Sequence, residues 1–168
     1  MLRCLFMSCA FPVAAAALVP VGLAAQRRVT PAERPKTPMQ VSLQVGADPF
    51  SSSAPGTCEH ADLASIYNVR AELWRVESTD GNRSLSMTLW RPKDGSADMV
   101  TLAYSSGSTS QQVSTIRGAA GTSGSAKVAF EAAGKGGTFK IDAKAGNGTP
   151  ISGTVKCEAF TPAMAEGG

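Results

Sequence analysis

Ser84-Leu-Ser-Met-Thr-Leu-Trp-Arg91 is the stretch whose pattern decides the fold class. Leu85, Met87 and Leu89 fall on one side of an extended backbone, and Ser84, Ser86, Thr88 and Trp90 fall on the other. Successive side chains of a strand point to opposite faces, so this alternation predicts a strand with one buried face and one wet face. The pattern returns in Thr138-Phe-Lys-Ile-Asp-Ala-Lys-Ala145, where Phe139, Ile141, Ala143 and Ala145 face inward. It continues from Ile151 to Ala159 through Val155 and Cys157. Weaker alternation marks strands over 64–69, 71–77, 99–105, 111–117 and 126–131. Strands with one wet face belong to antiparallel sheets.

Working outward from these strands, Asp80-Gly81, Asp94-Gly95, Ser106-Gly107, Gly136-Gly137 and Asn147-Gly148 each separate two of them. Such dipeptides supply the positive φ that tight hairpins require. The chain therefore reads as all-β, an antiparallel meander of about eight strands closed as a small barrel or a two-sheet sandwich. Composition agrees. Of 168 residues, 31 are Ser or Thr, 17 are Gly and 10 are Pro, and these residues weaken helix interiors.

The segments outside the strands divide by composition. Residues 1–25 carry one charge, Arg3, then an apolar run and the small residues Gly22, Ala24 and Ala25, the layout of a cleaved secretory signal peptide. Pro12 and Pro20 interrupt the run, which leaves no membrane span once the leader is removed. Residues 26–57 are rich in Pro and Ser and read as a mobile linker. Four basic residues between Arg27 and Lys36 stand against Glu33 there, a solvated run. Within that linker Met39, Val41, Leu43 and Val45 alternate, so 39–45 reads as an extra strand added to the domain edge. Residues 58–160 form the β domain, and 161–168 form a frayed tail.

Cleavage would remove Cys4 and Cys9 and leave Cys58 and Cys157, 99 positions apart. Two cysteines in an exported chain most simply form one disulfide, tying the entry of the first strand to the last strand. Secreted or periplasmic localisation follows from the same reading.

Val100-Thr-Leu-Ala-Tyr-Ser-Ser-Gly-Ser108, Gly137-Thr-Phe-Lys-Ile141 and Gly153-Thr-Val-Lys-Cys157 resemble small mycobacterial surface lipoprotein antigens. The resemblance implies an antiparallel domain closed by one disulfide behind an acylated cysteine. This chain departs from it, because Cys9 stands too early to follow both a charged and an apolar leader region.

The chemistry the chain can support is narrow. The net charge is +3, and the surplus lies mostly outside 58–160, which leaves no basic face for nucleic acid. There is one histidine, His60, too few for zinc chemistry, so neither a metal nor a cofactor is expected. A hydrolase would have to build on His60 and Asp62 with a serine, and no nucleophile elbow is present. Asp94 and Asp98 read as turn residues rather than a calcium loop. Glu72 and Glu77 point to opposite faces of one strand, and Gly118–Gly124 lacks the ending of a phosphate loop.

Trp90 is the more useful lead. An indole on a polar face calls for a covering segment, for which Met39–Val45 is the candidate, or for a partner. Trp74 and Tyr104 would extend that binding face if their strands lie beside it. The expected function is an exported, non-catalytic, monomeric β domain that binds a ligand or an extracytoplasmic protein. The alternative is an inhibitor of a secreted hydrolase, with Pro49–Pro55 laid in the enzyme's cleft. An enzymatic role for the chain itself ranks behind both.

Overall fold

The computed structural model describes residues 34–117 and 123–163. Residues 1–33, which include the expected signal peptide, Gly118–Thr122 and the residues from 164 onward lie outside the described residues. The strands are β1 (Met39–Val45), β2 (Asp48–Ser52), β3 (Thr57–Ile66), β4 (Val69–Asp80), β5 (Arg83–Pro92) and β6 (Met99–Ser106). They continue as β7 (Thr109–Ser114), β8 (Ser125–Ala133), β9 (Gly136–Lys144), β10 (Pro150–Cys157) and β11 (Thr161–Pro162).

These form a two-sheet sandwich, not a closed barrel. One sheet has the order β2-β1-β10-β9-β8, and the other has the order β11-β3-β4-β5-β6-β7. Every pairing is antiparallel except that of β11 with β3. The chain changes sheets between β2 and β3, between β7 and β8, and once more between β10 and β11. Single bridges, Thr37 to Gly56 and Ser114 to Ser123, stand at the first two of these crossings. The shared core sets Val41, Leu43, Phe139, Ile141, Ile151 and Val155 of one sheet against Val76, Leu85, Met87, Leu89, Val100 and Leu102 of the other.

The alternation in 84–91 appears as read: Leu85, Met87 and Leu89 are buried and Ser86 is exposed. Seven of the eight expected strands correspond to β4 through β10, whereas the expected strand 64–69 is interrupted by the turn between β3 and β4, and the turn between β8 and β9 is displaced. The first hairpin turns at Tyr67-Asn68, whose φ values are 51° and 63°. A two-residue turn with both central residues left-handed matches the twist of the strands, and here Tyr and Asn supply it without glycine. The β8–β9 turn falls at Gly134, φ 60°, rather than at Gly136-Gly137. Gly137 lies inside β9 and makes room for Phe130, whose ring would meet a Cβ there at 2.4 Å.

Residues 39–52, which composition grouped with the linker, form the β1–β2 hairpin. Met39, Val41, Leu43 and Val45 are buried, as their spacing predicts. β1 is nevertheless not at the edge. It pairs with β10 from Met39↔Cys157 to Val45↔Ile151, and β2 takes the edge outside it. Pro49 lacks a donor for a ladder, which suits β2 to that outer position. The start of the tail is also ordered. Thr161 and Pro162 pair with Glu59 and His60, and Ala163 N–H donates to His60 O at 2.9 Å.

β1 and β10 meet at a position that only glycine fits. Gly153 pairs with Leu43 at φ 142°, and a Cβ on it would come 2.1 Å from the Ser42 carbonyl oxygen. Gly153→Ala is therefore expected to cost at least about 1–3 kcal/mol from backbone strain alone. A urea titration that gives the variant the wild-type midpoint would overturn this.

Among the described residues, two sets of side-chain bonds tie the sheets. Cys58 of β3 and Cys157 of β10 form the disulfide, with Cα atoms 6.2 Å apart and both side chains buried. Elsewhere the Tyr104 hydroxyl of β6 donates to Asp48 Oδ2 of β2 at 2.8 Å. Arg83 of β5 donates to Asp48 Oδ1 at 3.1 Å and to the Pro49 carbonyl at 2.8 Å. Burial, and then the bond to Asp48, raise the Tyr104 pKa above its usual value of 10.0. The folded state thus holds this proton more tightly than the unfolded chain. Its contribution is complete below pH 10 and is lost as pH rises through the folded pKa. Tyr104→Phe is expected to cost about 1.5–3 kcal/mol at neutral pH, as loss of a bond to a charged group does. It should also flatten the alkaline fall in stability, which chemical denaturation between pH 8 and 11.5 would measure.

Candidate functional site

Trp90, Trp74 and Tyr104 do not form one face. Tyr104 is buried at 1% exposure, against Phe50 with ring centroids 5.6 Å apart. It follows Val100 and Leu102 at the inward spacing of β6. Trp74 is buried at 2% exposure and faces Leu89 across β5. It stacks on His60 at 4.8 Å and 14°, packs on Phe130 at 5.0 Å, and lies 5.3 Å from the Arg91 guanidinium. Phe139 and Phe160 complete this aromatic end of the core.

Trp90 does lie on the outer face, half-buried. Its cross-strand neighbours are Leu73 of β4 and Met99 of β6. Met39–Val45 does not cover it, because β1 belongs to the other sheet and turns its apolar residues into the core. Leu73 and Trp74 are both buried although adjacent. Ala71 and Leu73 are buried on the outer side, beside Pro92 and Trp90, and Trp74 and Val76 on the inner side.

The residues tested for chemistry are engaged elsewhere. Asp98 pairs with Arg91 at 3.1 Å, and Asp94 accepts from the Ser96 hydroxyl at 2.7 Å and the Ser96 N–H at 2.9 Å. The Ser96 hydroxyl bond is the main cause holding the exposed Asp94 carboxyl below its usual pKa. Glu77 binds Arg34 at 2.7 Å, and the same arginine lies 3.8 Å from the buried Glu59. Glu72 lies 3.9 Å from Lys93. His60 Nε2 lies 3.5 Å from Asp62 Oδ1, too far for a strong hydrogen bond, and its ring face is occupied by Trp74. Among the described residues no group of three or more His, Cys, Asp and Glu side chains converges on a metal position.

The feature missed from the sequence is the β3–β4 hairpin. The pairing of β3 with β4 shifts between Ala61 and Ala64, and this bulge leaves Asp62 and Leu63 outside the ladder. Leu63 is 75% exposed and Tyr67, at the turn, is 56% exposed. These are the two large hydrophobic side chains that stand out from the surface of the described residues. Tyr67 is nevertheless positioned, since its hydroxyl donates to the Arg117 carbonyl. Beside the bulge an open recess of about 460 Å³ is lined by His60, Ala61, Asp62, Leu63 and the segment Phe160–Ala163 that contains β11. A bulge re-aims a side chain at a strand irregularity, which is how a leucine in a strand comes to point into water.

The chain matches no protein-family model, no curated protein and no solved structure. The partial resemblance to surface lipoprotein antigens therefore gains no support from these comparisons, and the hairpin has to be read from its own geometry. No helix of the described residues is long and apolar enough to cross a membrane.

Proposed function

We propose that this protein is an exported, non-catalytic β-sandwich that binds an extracytoplasmic protein through its β3–β4 hairpin. The observation that carries the reading is the exposure of Leu63, at the rim of an open recess, and of Tyr67, at the turn of the same hairpin. Leaving a large apolar side chain in water forgoes about 1.5–3 kcal/mol of burial, which contact with a partner recovers. An exposed leucine and tyrosine beside so open a recess suit a protein surface better than a small molecule, which is held in an enclosing pocket. Export is supported by the leader-like residues 1–25 and by a disulfide of the kind that persists in oxidising compartments. N-terminal sequencing of the exported protein should begin just after Ala24 or Ala25; a retained Met1 would overturn the export reading.

The inhibitor reading survives in altered form. Asp48–Ser52 is a paired strand and not a free segment, so the part that would enter a hydrolase cleft is the bulged hairpin with Leu63. Both readings are tested with one variant. Leu63→Ser/Tyr67→Ser should leave the melting curve within a few degrees of wild type. It should also lower capture of the extracytoplasmic partner, or inhibition in a hydrolase panel, at least about tenfold, since each anchor carries roughly 1 kcal/mol or more. Undiminished binding by that variant would remove the hairpin as the site.

A further inference from the structure

We infer that β8 is a self-complementary edge at which two copies of this chain join into one continuous sheet. Four strands end the two sheets, and three of them are poor templates for further pairing. β2 has five residues and contains Pro49, and β11 has two residues and contains Pro162. β7 has six residues and ends at the bridge to Ser123. β8 runs nine residues, Ser125-Ala-Lys-Val-Ala-Phe-Glu-Ala-Ala133, without proline. Its register with β9 is unbroken from Ser125↔Lys144 to Ala133↔Gly136, so no bulge twists the edge away. Long, regular edges present unpaired N–H and C=O groups to another strand unless something blocks them.

The sequence of β8 specifies what pairs with it. Laid antiparallel against itself about Ala129, the strand brings Lys127 of each copy opposite Glu131 of the other. Val128 then falls opposite Phe130, and Ala129 opposite Ala129. The two-fold axis thus makes two opposite-charge pairs on the wet face and two apolar pairs on the core face. Faces agree with the fold. Lys127, Ala129 and Glu131 are exposed, while Val128 is buried and Phe130 is half-buried at the open margin of the core. Glu131 already receives Lys140 at 2.6 Å, so in the dimer it would sit between two lysines. A two-fold contact of this type is isologous and closes at two copies. It departs from the monomer expected from the sequence and is independent of the β3–β4 hairpin.

The test uses charge reversal at exposed positions, which leaves the fold intact. Sedimentation of the mature protein should show a monomer–dimer equilibrium. Lys127→Glu alone and Glu131→Lys alone each turn both charge pairs into like-charge pairs. Each should weaken dimerisation about tenfold or more. Mixing the two variants restores opposite charges at both pairs, so a heterodimer should form where each variant alone does not. A wild-type protein that stays monomeric at millimolar concentration would overturn the inference, leaving the edge to a different extended peptide. A dimer insensitive to both reversals would overturn it as well.

Discussion

Removal of the Cys58–Cys157 crosslink, by reduction or by Cys58→Ala/Cys157→Ala, is expected to lower stability by about 4–5 kcal/mol. The loop it closes spans 99 residues and includes β4 through β9. In the chain-entropy model closing a loop of that length is a large restriction on the unfolded ensemble. The native side contributes little, because a free thiol packs as a small hydrophobe and both sulfur positions are already buried. β3 and β10 share no ladder, so the bond joins two sheets otherwise held by packing and the Tyr104–Asp48–Arg83 network. Urea titration of oxidised and reduced protein measures the difference. Equal midpoints would mean that the unfolded chain is not appreciably constrained by the bond.

Trp74→Ala should cost about 3–5 kcal/mol, in the range of large aromatic truncations in a core. The ring is 2% exposed and in contact with His60 and Phe130, so its removal leaves a cavity that those rings cannot readily fill. Trp90→Ala should cost clearly less, because that indole is half-buried on the outer face. The chain has two tryptophans, which makes the comparison separable by fluorescence. Trp74→Phe leaves Trp90, whose emission should be quenched by acrylamide. Trp90→Phe leaves Trp74, which should be protected. The reverse pattern would place the wrong indole in the core.

Much of the architecture was written in local patterns. Leu85, Met87 and Leu89 assign the faces of β5 by themselves, since a strand's side-chain period is a property of the backbone. The same holds for Met39 to Val45, whereas Tyr104, expected on the outer face with Trp90, is turned inward by its spacing from Val100 and Leu102. The disulfide matches the pairing expected from the two cysteines outside residues 1–25. What these patterns could not settle is how strands meet one another. Leu73 and Trp74 are consecutive apolar residues, and either could have faced the core; the register with Leu89 chose Trp74. Likewise 39–45 read as a strand, but its place between β2 and β10 depends on pairing with a partner more than one hundred residues away. The choice of sandwich over barrel depends on which neighbours the crossings at β2–β3 and β7–β8 leave unpaired. Leu63 was illegible for a related reason. In sequence it stands just ahead of the weakly alternating run 64–69, and only the register shift between Ala61 and Ala64 turns it outward. Face alternation is decided within one strand and is read from neighbours in sequence. Pairing partners, bulges and sheet closure are decided between strands, by contacts that local spacing does not encode.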